Sequence, residues 1–182
     1  QLDVSKLDEL QQTTIVYDRE GTAIASLHGS EDRVVVSLDS IPKHVQQAFI
    51  SAEDQRFYSH HGIDVKRILG ALWHDIRTGG LNQGASTITQ QLIKLSHLSP
   101  EKTWKRKIQE AYLAIQLERV YNKDEILEKY LNYVYFGNGY YGIEAAARGY
   151  FGKSAKDLTL DEGAMLAGVL KSTTNYAPHI QY

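Results

Sequence analysis

The spacing of apolar and polar residues changes at Pro42. Before it, Thr13-Thr-Ile-Val-Tyr17 and Thr22-Ala-Ile-Ala-Ser-Leu27 are short runs flanking Asp18-Arg-Glu-Gly21, which predicts a small hairpin. Val34-Val-Val36 is a candidate third strand, and the polar residues 1–12 form a weakly helical lead-in. After Pro42 the rhythm is helical to the end. The helix at 42–53 buries Val45, Ala48, Phe49 and Ala52 and ends on adjacent carboxylates, Glu53 and Asp54, before Gly62 closes the turn. From Ile63 to Ile76 the apolar positions are Ile63, Val65, Ile68, Leu69, Leu72, Trp73 and Ile76, with Asp64, Lys66, Arg67, His74 and Asp75 between them. That amphipathic segment suits a helix lying in a membrane interface, and equally a surface helix packed on the core.

A glycine-rich stretch at 78–84, expected to be mobile, leads into Ala85-Ser-Thr-Ile-Thr-Gln-Gln-Leu-Ile-Lys94, with Ser86 as its expected N-cap. Ser99-Pro100 announces another helix. Its second half, Ala111 to Leu117, is apolar nearly all round and therefore expected to be buried. Asn122-Lys-Asp-Glu125 is a capping box before a helix at 126–132, and Thr159-Leu-Asp-Glu162 is a second before a small-residue helix at 163–170. Between them Phe136-Gly-Asn-Gly-Tyr-Tyr-Gly142 reads as a glycine corner allowing close backbone approach; no Walker lysine follows it, which argues against nucleotide binding. There is no internal repeat or linker, so residues 1–182 form one mainly helical domain with a lead-in over 1–40.

Composition removes whole classes. The net charge of −2 argues against a nucleic-acid binder, and without cysteine there is neither a disulfide nor a thiolate metal site. No apolar run approaches the roughly 20 residues a membrane span needs. The chain opens on Gln1 without a signal peptide and reads as an excised piece, so an anchor can lie outside it.

Three clusters carry candidate chemistry. A carboxylate at the end of a buried helix is partly desolvated and suited to proton transfer, although an acid there opposes the helix dipole and Glu53-Asp54 alone reads more simply as surface charge. Ser86, Thr87, Thr89, Gln90 and Gln91 crowd one helix start, either as neutral contacts to a polyhydroxylated or phosphorylated ligand or as a cap and polar face. Lys102, Arg106 and Glu110 recur at i, i+4 and i+8, with Lys107 beside them. Arg106 and Lys107 are natural partners for Glu110, but cations gathered at a helix start work against its dipole, which an anionic ligand would explain. His60 and His61 lack metal-ligand spacing, and His60 reads as a satisfied structural histidine.

Together these segments resemble the peptidoglycan glycosyltransferases, the polymerase module of class A penicillin-binding proteins and monofunctional transglycosylases. The likeness covers residues 41–178: Glu53-Asp54-x-x-Phe57-x-x-His60-x-Gly62, then Gly84-x-Ser86-Thr87-x-Thr89-Gln90-Gln91-x-x-Lys94, then Arg106-Lys107-x-x-Glu110, and Lys123-x-x-Ile126-Leu127-x-x-Tyr130-Leu131-Asn132 running on to Gly137-x-Gly139-x-x-Gly142. One departure is visible: many members carry Arg where this chain has Lys102, which keeps the charge and gives up a bidentate fork.

The resemblance implies a mainly α, lysozyme-like domain with a short N-terminal β element and a small membrane-facing lobe with a mobile loop over 63–84. It implies inverting transfer of an undecaprenyl-pyrophosphate-linked glycan to the GlcNAc 4-hydroxyl of lipid II, forming β-1,4 bonds at the outer face of the bacterial cytoplasmic membrane. Glu53 is then the base. Lys94, Lys102, Arg106 and Lys107 balance the leaving diphosphate, with Glu110 ordering them or touching it. Ser86, Gln90 and Gln91 contact substrate oxygens, and Asp54 tunes Glu53 or helps hold a divalent cation (Mg or Mn), none being obligatory. The implied partners are lipid II, the growing lipid-linked glycan, the membrane surface and phosphoglycolipid inhibitors of the moenomycin type. Two other readings stand: a lysozyme-like hydrolase or lytic transglycosylase, which has no use for a cationic pocket, and a non-catalytic membrane-surface module.

Overall fold

The computed structural model describes residues 14–17, 23–27, 34–78, 84–97 and 103–176. The lead-in over 1–12, the segment 79–83 of the glycine-rich stretch, Ser99-Pro100 and Lys102 lie outside them. Strands β1 (Thr14–Tyr17) and β2 (Ala23–Leu27) pair antiparallel, with Thr14 opposite Leu27 and an irregularity between Val16 and Tyr17. The rest of the described chain is mainly helical: α1 (Lys43–Glu53), α2 (Val65–Thr78), α3 (Ile88–His97), α4 (Trp104–Val120), α5 (Lys123–Tyr133), α6 (Ile143–Phe151) and α7 (Leu160–Tyr176). Three short 3-10 turns sit at Leu38–Ser40, Phe57–Ser59 and Ala155–Asp157.

Val34–Val36 does not form the expected third strand. The side-chain amide of Asn132 occupies the backbone of Val36 instead, accepting from its N–H at 2.9 Å and donating to its carbonyl at 2.8 Å. One side chain thus supplies both bonds that a neighbouring strand would have made.

The core forms where helical periodicity turns apolar positions onto one face. In α3 Ile88, Leu92 and Ile93 are fully buried, and in α5 Ile126, Leu127, Tyr130 and Leu131 are. α3 packs on α4 and α5, while α1 packs along α7. The α1–α7 approach is close because α7 is built from small residues: a Cβ on Gly163 would stand 3.0 Å from a methyl of Val45. Each fully buried aliphatic side chain contributes about 1.5–3 kcal/mol of transfer free energy.

Both expected capping boxes form. Asn122 and Glu125 cap α5 reciprocally, and Thr159 and Glu162 do the same for α7, with Glu162 accepting from Thr159 N–H at 2.8 Å. The cap of α4 is Thr103, which accepts from the N–H of Arg106 at 3.2 Å, so the helix starts later than Ser99-Pro100 suggested. The middle of α4 is less enclosed than its composition implied. Leu113, Ala114 and Leu117 are buried, but Tyr112 faces solvent.

The glycine corner joins α5 to α6. Gly137, Asn138, Gly139 and Gly142 all have positive φ, and an added Cβ at Gly142 would lie 2.6 Å from the carbonyl oxygen of Asn132. By contrast Gly152, the left-handed C-cap of α6 at φ +66°, has open space around it. Gly142→Ala is therefore expected to cost about 2–4 kcal/mol, from the strained φ and the clash together, and Gly152→Ala only about 1 kcal/mol, measured by urea unfolding.

Candidate functional site

Glu53 closes α1 and Asp54 caps it. Both are withdrawn from solvent, 7% and 1% exposed. The conflict between an acid at a helix end and the helix dipole is relieved from outside the segment. Arg67 on α2 donates its guanidinium to the carbonyl oxygen of Glu53 at 2.7 Å, placing a cation on the negative end of α1.

Asp54 turns inward. Its Oδ2 accepts from His60 Nε2 at 2.8 Å and from the N–H of Ile88, the first residue of α3, at 3.0 Å. The other ring nitrogen of His60 lies 3.4 Å from Lys123 Nζ. An ammonium can only donate, so His60 Nδ1 accepts and Nε2–H faces Asp54. Lys123 also donates to Glu118 at 2.7 Å, and Glu118 accepts from Thr89 at 2.6 Å. Asp54, His60, Lys123, Glu118 and Thr89 thus form one braced polar chain behind the site, and His60 is structural as expected.

α3 is capped by Thr87, not by Ser86. The N–H of Gln90 donates to Thr87 Oγ1 at 3.1 Å, and Gln90 Oε1 accepts from the N–H of Thr87 at 3.2 Å. The Thr87 hydroxyl donates onward to the Gly62 carbonyl at 2.6 Å, tying the helix start to the turn after Asp54. Ser86 is engaged elsewhere, by Lys107.

The two glutamines that follow each hold one carboxylate. Gln90 Nε2 donates to Glu110 Oε1 at 3.2 Å, and Gln91 Nε2 donates to Glu53 Oε2 at 3.0 Å. Each amide is anchored at its carbonyl end, Gln90 by the Thr87 N–H and Gln91 by the Tyr130 hydroxyl at 3.0 Å. The remaining carboxylate oxygens, Glu53 Oε1 and Glu110 Oε2, are buried and accept no hydrogen bond from the described protein. Such groups cost about 1–3 kcal/mol each unless a partner arrives.

Glu110 is 1% exposed, and its ion-pair partner is Lys107, with Nζ 2.5 Å from Oε1. The same Nζ donates to Ser86 Oγ at 2.7 Å. The first turn of α4 carries no acid to offset these cations. Lys94 is exposed on α3, one helical turn beyond Gln90, and Arg106 is half-buried on α4. The fold therefore brings Ser86, Gln90, Lys107 and Glu110 into direct contact and joins them through adjacent residues of α3 to Gln91 and Glu53. It sets Asp54 behind them as a brace.

Tyr130, Arg67 and Glu118 are not among the functional candidates that the sequence marks. Tyr130 lies in an apolar helical face and reads as core; its burial, followed by the charges of Glu53 and Asp54, holds the phenol well above the ordinary tyrosine value. A cavity of about 450 Å³ lies elsewhere, at the start of α5, lined by Asp39, Tyr58, Lys123 and Glu128 among others. Two of its polar groups are committed internally, Tyr58 to Asp124 and Glu128 to the N–H of Leu38.

Comparison with known proteins bears on this arrangement. The family model described as Transglycosylase matches residues 20–182. The chain is 50% identical over 169 residues to penicillin-binding protein 1F of Bacillus subtilis (strain 168), covering 93% of this chain and 24% of that protein. It is 52% identical over 178 residues to penicillin-binding protein 1A/1B of the same organism, covering 97% and 19%. With penicillin-binding protein 1A of Aquifex aeolicus (strain VF5) the identity is 47% over 167 residues, covering 92% and 23%. The chain thus spans about a fifth to a quarter of the length of these relatives.

Replacing Asp54 by Ala strips partners from both His60 and the first N–H of α3. The expected loss is about 2–4 kcal/mol in urea unfolding, and a change under 1 kcal/mol would show that Asp54 is no brace.

Proposed function

The chain belongs to the transglycosylase family, and on that premise we propose that it polymerises peptidoglycan glycan strands from lipid II. The observation that carries this reading is the orphaned Glu53 Oε1, on a carboxylate whose other oxygen is held by the helix that also holds the Glu110–Lys107 pair.

In the proposed reaction Glu53 Oε1 takes the proton of the GlcNAc 4-hydroxyl of lipid II as that oxygen attacks C1 of the lipid-linked MurNAc. The new β-1,4 bond forms on the face opposite the leaving group. The bond from C1 to the undecaprenyl pyrophosphate breaks, and its electron pair leaves with the diphosphate. A diphosphate is already a good leaving group, so the protein's task is to balance charge rather than to supply a strong acid. Lys107, Lys94, Arg106 and Lys102 take that task, with Glu110 holding Lys107 in place. The N-terminus of α4 adds its dipole to theirs. Gln91 holds Glu53, and Ser86 and Gln90 line the phosphate side. Phosphoglycolipid inhibitors of the moenomycin type would meet the same cations.

Among the described residues no group of three or more His, Asp or Glu is placed to hold a resident divalent cation; Asp54 Oδ2 is spent on His60 and Ile88, while its Oδ1 is buried without a partner. Asp54 is given the electrostatic and positional role, which its bonds to His60 and Ile88 support. A cation that entered with the diphosphate would belong to the substrate.

We assign this lysozyme-like domain to the outer face of the cytoplasmic membrane, with residues 63–84 as its membrane-facing lobe. Val65, Leu69, Leu72 and Trp73 make a continuous face on α2, each more than half exposed. Trp104, Ile108 and Tyr112 repeat the pattern at i, i+4 and i+8 on α4. No helix among the described residues is long and apolar enough to cross a membrane, so the contact proposed is with its surface.

With purified lipid II, Glu53→Gln is expected to lower turnover by about 10²–10⁴ while the unfolding transition stays in place. Lys107→Ala should raise KM and slow turnover. Near-native polymerisation by Glu53→Gln would remove the assigned base, and shortening of preformed glycan by the wild-type chain would replace the polymerase with a hydrolase.

The membrane assignment has its own test. Sedimentation with phosphatidylglycerol-containing vesicles should fall at least about tenfold when Leu69 and Trp73 are both changed to Ser, because apolar area leaves the interface. Unchanged partitioning would detach this face from the membrane.

A further inference from the structure

We propose that Tyr130 is a positioning residue for proton transfer, acting through Gln91 by fixing which end of that amide faces Glu53. The inference rests on the reading of Glu53 as the base and adds a residue to it. A glutamine amide is nearly symmetric in shape and opposite in function at its two ends, since one accepts and the other donates. Buried next to a carboxylate, the two orientations differ in sign: an NH2 group supports the ionised acid, and a carbonyl oxygen repels it.

The choice between them is made on α5, 39 residues along the chain. Tyr130 is fully buried, and its hydroxyl donates to Gln91 Oε1 at 3.0 Å. Burial and the neighbouring charges of Glu53 and Asp54 keep its proton in place, so the phenol has a proton to donate to Gln91 Oε1. Gln91 Oε1 is therefore claimed by Tyr130, and Nε2 is left to meet Glu53 Oε2 at 3.0 Å. With that oxygen engaged, the proton-accepting role falls to Oε1, the oxygen that has no partner. The neighbouring pair repeats the device with a backbone group: the Thr87 N–H claims Gln90 Oε1 and turns Gln90 Nε2 to Glu110. Among the described residues no backbone donor does this for Gln91, and a phenol stands in.

Tyr130→Phe keeps the ring and removes the donor. The amide then loses its anchor, and neither orientation satisfies both of its ends. A packing role and a positioning role separate in a double-mutant cycle of Tyr130→Phe and Gln91→Met, read as kcat and KM for polymerisation of lipid II. The expected result is a fall of about tenfold in kcat for Tyr130→Phe with KM within about twofold, since the lost bond bears on the base and not on substrate contact. In the Gln91→Met background the same substitution should cost less than about twofold, because the amide it acts through is gone.

Equal losses in the two backgrounds, or a change confined to KM, would overturn the proposal. Should Tyr130→Phe not fold, Gln91→Met alone still decides: with Tyr130 intact, an unchanged kcat would mean that nothing passes through the amide. Glu53→Gln in the same assay separates this failure from a failure of the base assignment. A silent Tyr130→Phe beside an inactive Glu53→Gln removes only the positioning role, whereas an active Glu53→Gln removes the base.

Discussion

One oxygen organises the centre of this molecule. Asp54 Oδ2 accepts from the first N–H of α3 and from His60, and so binds the end of α1 to the beginning of α3. Each group solves the other's problem. A helix start carries N–H groups with no partner inside the helix, and a buried carboxylate needs donors. Thr87 and Gly62 add a second tie across the same junction. Once α3 is held there, its apolar residues Ile88, Leu92 and Ile93 set its rotation against α4 and α5, and Gln90 and Gln91 reach the two glutamates.

The pair of glutamines then converts a rigid junction into chemistry. Each amide is fixed at one end and presents its donor to a carboxylate, leaving one carboxylate oxygen unclaimed on Glu53 and one on Glu110. An orphaned buried acceptor is a standing cost in a folded protein, tolerated where a ligand supplies the missing partner. The cations at the start of α4 add a second local cost. Lys107 lies near a helix N-terminus, where the dipole disfavours it, with Glu110 as its counter-charge. Positive charge collected against the helix dipole is poor for stability and well suited to a sugar diphosphate.

Support for these groups comes from residues that touch no substrate in the proposed reaction. Arg67 offsets the charge at the end of α1, the Lys123–Glu118 pair holds His60, and Tyr130 sets the direction of an amide. The apolar faces of α2 and α4 lie outside this interior, exposed where a soluble core would have covered them.

The amino-acid sequence by itself determined the helical course after Pro42, the capping boxes at Asn122 and Thr159, the glycine corner and the family. These follow from periodicity, cap chemistry and motif, which act over a few neighbouring residues. It also marked Glu53, Gln90, Gln91, Lys107 and Glu110 as candidates, although it could not say which of them touch. Tertiary structure alone decided that Thr87 and not Ser86 caps α3, that Val36 pairs with an Asn132 side chain instead of a strand, and that Tyr112 stays exposed. It alone turned Asp54 into a brace and brought Tyr130 from an apolar face to the site. Each of those outcomes depends on a hydrogen bond or a packing surface supplied by a distant part of the chain, and hydrophobic spacing records which face is buried but not which donor waits there.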